Sequence, residues 1–130
     1  MAKVMLIDDD VDLIEMNRAV LRARGHQVVA AYSAAEARKL LAAGGGPPCD
    51  AVVLDIMMET PDAGIELGRE IHLRFPALPI ILLSGIQAAT GLAFRLDPAA
   101  GELAACKFLD KPISPGALAD QVRAAIEGAK

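Results

Sequence analysis

The chain has 130 residues, a net charge of −4 and 54% apolar residues but only 3% aromatics, which suits one domain with an aliphatic core that needs no disulfide or structural metal. No run of basic residues appears, which argues against a domain that grips nucleic acid directly. Cys49 and Cys106 lack C-x-x-C spacing, and His26 and His72 are scattered, so a structural zinc is not expected and a reduced, cytoplasmic setting fits.

Residues 3–7 read as a first strand, beginning too early to leave room for a signal peptide. Leu13, Met16 and Val20, with Ile14 and Leu21, recur at helical spacing and predict a first helix, which Gly25 closes. His26 to Tyr32 predicts a second strand. Ser33-x-x-Glu36 is a capping box opening a second helix to about Ala43, and Gly44 to Pro48 form a surface connection. Ala51 to Leu54, with Asp55, make a third strand. A third helix opens near Gly64, turns Leu67, Ile71 and Phe75 inward and stops at Pro76.

The chain is uncharged from Phe75 to Phe94, about the length that crosses a bilayer. Pro76, Pro79, Gly85 and Gly91, with Ser84, Gln87 and Thr90, break that stretch, so it reads as a buried strand over residues 79–83 followed by a loop, without membrane insertion. Alternation calls for a helix in residues 85–105, but Gly91, Pro98 and Gly101 leave room only for a short one near 87–95 or 99–105. A fifth strand covers residues 106–109. Ser114 as N-cap and Pro115 at the first helical position open the last helix, with Leu118, Val122, Ala125 and Ile126 inward. Alternating strands and helices predict a doubly wound α/β domain over residues 1–130.

In a parallel sheet the strand ends share one edge, so the groups just after each apolar run converge there. Those groups are Asp8 and Asp9, Asp55, Ser84 and Lys111. Capping alone explains aspartates after a first strand, and Asp10 and Asp12 are assigned to it. Alternatively, carboxylates gathered at one edge repel until a hard divalent cation joins them, and magnesium suits an open site that accepts phosphate oxygens. Asp55 is either a loop aspartate or a nucleophile toward phosphorus. Lys111 is either a solvated cation or one leaning over the strand edge, and its bond to Pro112 can be cis. Ser84 either binds backbone or donates to a phosphoryl oxygen, for which Gly85 leaves room.

Four segments, VMLIDDD, VVLDIMM, IILLSG and KFLDKP, stand in an order and at separations that resemble the response-regulator receiver domain of two-component signalling. That resemblance covers essentially the whole chain. It implies a five-stranded parallel sheet of order 2-1-3-4-5 and autocatalytic transfer of a phosphoryl group from a sensor histidine kinase or a histidine phosphotransfer protein. It makes Asp55 the phosphoacceptor. Asp9 becomes the direct ligand of Mg2+ (or Mn2+), with Asp8 acting mainly through water, Asp55 sharing the ion and the Met57 backbone carbonyl completing the set. Ser84 becomes the switch hydroxyl, Lys111 the phosphoryl contact and Phe108 the switch aromatic. The domain would be a signalling module rather than an enzyme, stand-alone, monomeric or weakly dimeric, with output through a protein partner.

Two features depart from that pattern. Glu59 stands where a proline is usual, with Pro61 and Gly64 displaced after it, and the segment from Ser84 to Lys111 is several residues longer than usual. Long irregular connections are often functional, and Leu92, Phe94 and Leu96 there either pack inward or meet a partner. Two rival readings carry different tests. A haloacid-dehalogenase-type phosphatase would use Asp8 as nucleophile, although Asp12 replaces its expected threonine or valine and no acidic pair follows Lys111. A pseudo-receiver would keep the fold and bind partners without phosphorylation. A dinucleotide fold lacks its glycine-rich turn after the first strand.

Overall fold

The computed structural model describes residues 2–44, 49–55, 63–84, 107–110 and 113–128. The elements in chain order are β1 (Lys3–Ile7), α1 (Val11–Ala23), β2 (Gln27–Ala31), α2 (Ala34–Ala42), β3 (Ala51–Asp55), α3 (Ala63–Arg74), β4 (Ile80–Ser84), β5 (Lys107–Asp110) and α4 (Pro115–Gly128). The five strands form one parallel sheet in the order β2-β1-β3-β4-β5. This is the expected α/β architecture. The segments expected to hold a short helix, 87–95 and 99–105, lie outside the described residues, as do Leu92, Phe94, Leu96, Glu59 and Pro61.

Strand side chains alternate between faces, and the three central apolar runs divide accordingly. Met5, Ile7, Val52, Leu54, Ile80 and Leu82 face the layer made by α2 and α3, where Ala37, Leu41, Leu67 and Ile71 are buried. Val4, Leu6, Ala51, Val53, Ile81 and Leu83 face the layer made by α1 and α4, where Ile14, Leu21, Leu118 and Val122 are buried. Burial on both sides is why these strands are continuously apolar rather than alternating.

The helix ends follow from their capping residues. Asp10 caps α1 by accepting from the Leu13 N–H at 3.2 Å, Ser33 caps α2 by accepting from the Glu36 N–H at 3.1 Å, and Ser114 accepts from the Ala117 N–H at 3.2 Å. α1 ends in a paired closure: Gly25 N–H donates to the Arg22 carbonyl at 3.0 Å and His26 N–H to that of Leu21 at 3.1 Å. Gly25 sits at φ +89° there, in the left-handed region that glycine enters without a Cβ penalty.

Three sequence expectations shift. His26 belongs to the closure of α1 and Tyr32 lies past the strand, so β2 is shorter than expected. β4 and β5 each run one residue farther toward the carboxyl edge, to Ser84 and Asp110. Met16, placed by spacing on the inner face of α1, is 54% exposed. The buried stripe of α1 is Ile14, Asn17 and Leu21, because 14, 17 and 21 fall on one side of a 3.6-residue helix and position 16 falls nearly opposite.

Candidate functional site

Strand register sets the heights of the site residues. Ile7 pairs with Leu54 across β1 and β3, so Asp8 and Asp55 each stand one step beyond a paired position, level with each other. By alternation Asp8 follows Val4 and Leu6, and Asp55 follows Ala51 and Val53, so both project toward the α1–α4 layer. Asp8 N–H donates to the Ala31 carbonyl of β2 at 3.1 Å, which extends the sheet bonding one residue past β1.

The aspartates after β1 divide their work. Asp10 caps α1, as expected, and Asp12 lies in its first acidic turn, where a negative charge complements the helix dipole. Asp8 Oδ1 accepts from the Asp10 N–H at 2.9 Å, which holds the chain in the turn that leads into the helix. Asp8 and Asp55 are each only 5% exposed, while Asp9 is exposed. One carboxylate oxygen from each of Asp8, Asp9 and Asp55 lies within 4.8 Å of the others.

That juxtaposition is costly without a counterion. Two ionised carboxylates at this separation repel by on the order of 3 kcal/mol at an effective dielectric constant of about 20. The donor set is all oxygen, as a hard divalent cation prefers. Around magnesium, with bonds of about 2.0–2.1 Å, ligand oxygens lie about 3 to 4 Å apart. The three aspartates fit such a shell after small side-chain turns or with one ligand acting through water. Among the described residues this is the group of His, Cys, Asp and Glu side chains that could hold a metal.

Other expected site residues are placed only by their strands or not at all. Ser84 ends β4, paired with Asp110 of β5, and Phe108 pairs with Leu82, so both lie at the same sheet edge as the acidic group or just below it. Lys111, Met57 and Gly85 lie outside the described residues.

Two features escaped the sequence reading. Cys49 is buried just ahead of β3, and desolvation pushes its thiol pKa up from 9.0 to about 11. The run of apolar residues that follows Asp50 was the available signal. Basic groups at the end of α1 also meet one from β1: Lys3, Arg18, Arg22 and His26 line one open groove of about 630 Å³ against the start of β2. Arg18, Arg22 and His26 stand close together in sequence, which was the available signal, and Lys3 joins them from β1.

The model of the response regulator receiver domain matches residues 4–123. The chain is 35% identical over 132 residues to the C4-dicarboxylate transport transcriptional regulatory protein DctD of Pseudomonas aeruginosa, covering 96% of this chain and 25% of that protein. It is 30% identical over 126 residues to the transcriptional regulatory protein GlrR of Escherichia coli K12, covering 97% of this chain and 26% of that protein. The chain thus spans about a quarter of the length of these two relatives. A crystal structure of a response regulator receiver domain protein from Clostridium thermocellum superposes with a TM-score of 0.81 at 22% identity, covering 98% of this chain and 96% of that one, a likeness of fold.

Proposed function

The chain belongs to the response-regulator receiver family, and from that membership we propose that Asp55 accepts a phosphoryl group from a phosphohistidine on a sensor histidine kinase or a histidine phosphotransfer protein. The observation that supports this most is the meeting of Asp8, Asp9 and Asp55 within 4.8 Å at the carboxyl edge of the sheet, with Asp55 shielded from bulk water.

In this reading a carboxylate oxygen of Asp55 attacks phosphorus while the P–N bond to the donor imidazole breaks. The bonding pair stays on that nitrogen as a lone pair, the proton on the other ring nitrogen makes the departing imidazole neutral, and Asp55 becomes an acyl phosphate. Mg2+ (or Mn2+), held by Asp8, Asp9, Asp55 and the Met57 carbonyl, would supply the positive charge that offsets the gathered anionic oxygens. Lys111 and Ser84 are assigned to the phosphoryl oxygens. Phe108 is assigned to the switch, turning inward as Ser84 moves, so that phosphorylation reaches the surface around β5 and α4. Hydrolysis returns the carboxylate and inorganic phosphate. Output then proceeds through a protein partner rather than by turnover of a separate substrate.

Incubation with acetyl phosphate and Mg2+, followed by intact-mass measurement, tests the assignment. One phosphoryl group is expected on the wild type and none on Asp55→Asn. Label retained by Asp55→Asn and lost in Asp8→Asn would instead place the nucleophile at Asp8, as a phosphatase of the haloacid-dehalogenase type requires. A wild type that takes no label from acetyl phosphate or from a phosphorylated histidine phosphotransfer protein would identify a pseudo-receiver.

A further inference from the structure

β2 is the outermost strand of the sheet, bonded on one side to β1. Gln27 N–H donates to the Ala2 carbonyl at 2.8 Å, and the Ala31 carbonyl accepts from Asp8 N–H at 3.1 Å. Backbone groups alternate in direction along a strand, so those of Gln27, Val29 and Ala31 point toward β1. Those of Val28 and Ala30 point outward, and no described strand pairs with them. Proteins usually protect such an edge with a charge, a proline, a bulge or a covering segment. The sequence of β2, Gln-Val-Val-Ala-Ala, offers no charge and no proline, and its pairing with β1 is regular over all five residues.

The groove of about 630 Å³ lies at the start of this strand, where it meets Gln27, Val28 and Val29 of β2 and Lys3 of β1. Arg18, Arg22 and His26 complete its polar wall, and none of its described lining residues is acidic. The local charge is therefore opposite in sign to the chain's net −4. Arg18 spends one guanidinium nitrogen on Glu15 at 3.2 Å, while its Nε and the Nδ1 of His26 are buried without a hydrogen-bond partner. A turn of Arg18 away from exposed Glu15 would present a guanidinium fork to an incoming carboxylate.

We propose that the outer edge of β2 is a docking site for an extended acidic segment of a partner protein, which adds as a sixth strand. Its backbone pairs with the outward groups of Val28 and Ala30, and its carboxylates meet Lys3, Arg18 and Arg22. Charge complementarity selects this occupant. A second copy of the chain would bring two basic rims together and is disfavoured by repulsion. A small anion would use only the cations of this wall, whereas an extended chain also pairs with the outward backbone groups of β2.

The test uses the full chain and a fluorescein-labelled peptide of alternating aspartate and valine, with amide shifts read by NMR. Binding at low salt is expected to move the Val28 and Ala30 amides. Arg22→Glu should weaken binding at least tenfold. A peptide of alternating lysine and valine should not bind, and one N-methylated along its pairing edge should lose binding with its charge intact. The proposal is overturned if the acidic peptide leaves the β2 amides unmoved, if N-methylation changes nothing, or if inorganic triphosphate matches the peptide in shifts and affinity.

Discussion

At the scale of single residues, three adjacent aspartates do different jobs, and composition alone does not separate them. Asp10 is replaceable as a cap: Asp10→Ala should cost about 1 kcal/mol in urea unfolding and leave phosphoryl labelling in place. The sequence marked Asp8, Asp9 and Asp55 because each follows an apolar run, and the structure brings those three together. The site roles of Lys111 and Met57 rest on motif alone, since neither is among the described residues. Cys49 gave no sequence signal of its own, and it yields a pH prediction. Desolvation lifts its thiol from 9.0 to about 11 in the folded chain. Below about pH 9 the thiol is neutral both folded and unfolded, so it adds no pH dependence. Between about pH 9 and 11 only the unfolded chain loses the proton, so folding stability falls as pH rises, by up to about 2–3 kcal/mol. Cys49→Ala lacks that loss. Its deficit against wild type, set by the cavity it leaves, should shrink between about pH 8 and pH 10.5 when urea midpoints are compared.

At the scale of elements, what the sequence conveyed depended on how many faces an element buries. β1, β3 and β4 are buried on both sides and appear as unbroken apolar runs, legible to within a residue. α1 buries only one stripe, and there a count of apolar residues misled: Met16 lies outside while Asn17, 5% exposed, takes the inner place with its Oδ1 unpartnered. Polar residues on a buried stripe break the periodic pattern that sequence reading relies on. The turn after α1 was legible, because glycine there answers a backbone requirement. Gly25 lies at φ +89°, and a Cβ built on it meets nothing within 4 Å. Gly25→Ala should therefore destabilise by about 1–2 kcal/mol through backbone conformation alone, and the loss should not depend on the size of the substituent. Gly25→Ala and Gly25→Ser with equal urea midpoints would agree with this, whereas a larger loss for the bulkier residue would point to a clash.

At the scale of the whole molecule, the proposed cation site predicts that stability follows cation supply. Without divalent ions, Asp9→Asn removes repulsion and should melt slightly higher than wild type. With excess Mg2+ the order should reverse, because an ion present at a hundred times its dissociation constant adds about 2.7 kcal/mol to a site that can hold it. Thermal melts with EDTA and with Mg2+ measure both halves, and a wild type indifferent to Mg2+ would refute the assigned ligands. The sheet order was legible because motif order implied a family. The basic groove was legible only in part: Arg18, Arg22 and His26 stand close in sequence, but Lys3 joins them only through the pairing of β1 with β2. The matched heights of Asp8 and Asp55 have a final consequence. Ile7 faces Leu54 with no bulge between Val4 and Ile7 to absorb an extra residue. Gaining or losing one amino acid there would swap the two core layers and aim Asp8 away from Asp55. This stretch can thus drift in identity but not in length: a codon-deletion scan should find it far less forgiving than the connection around Gly44.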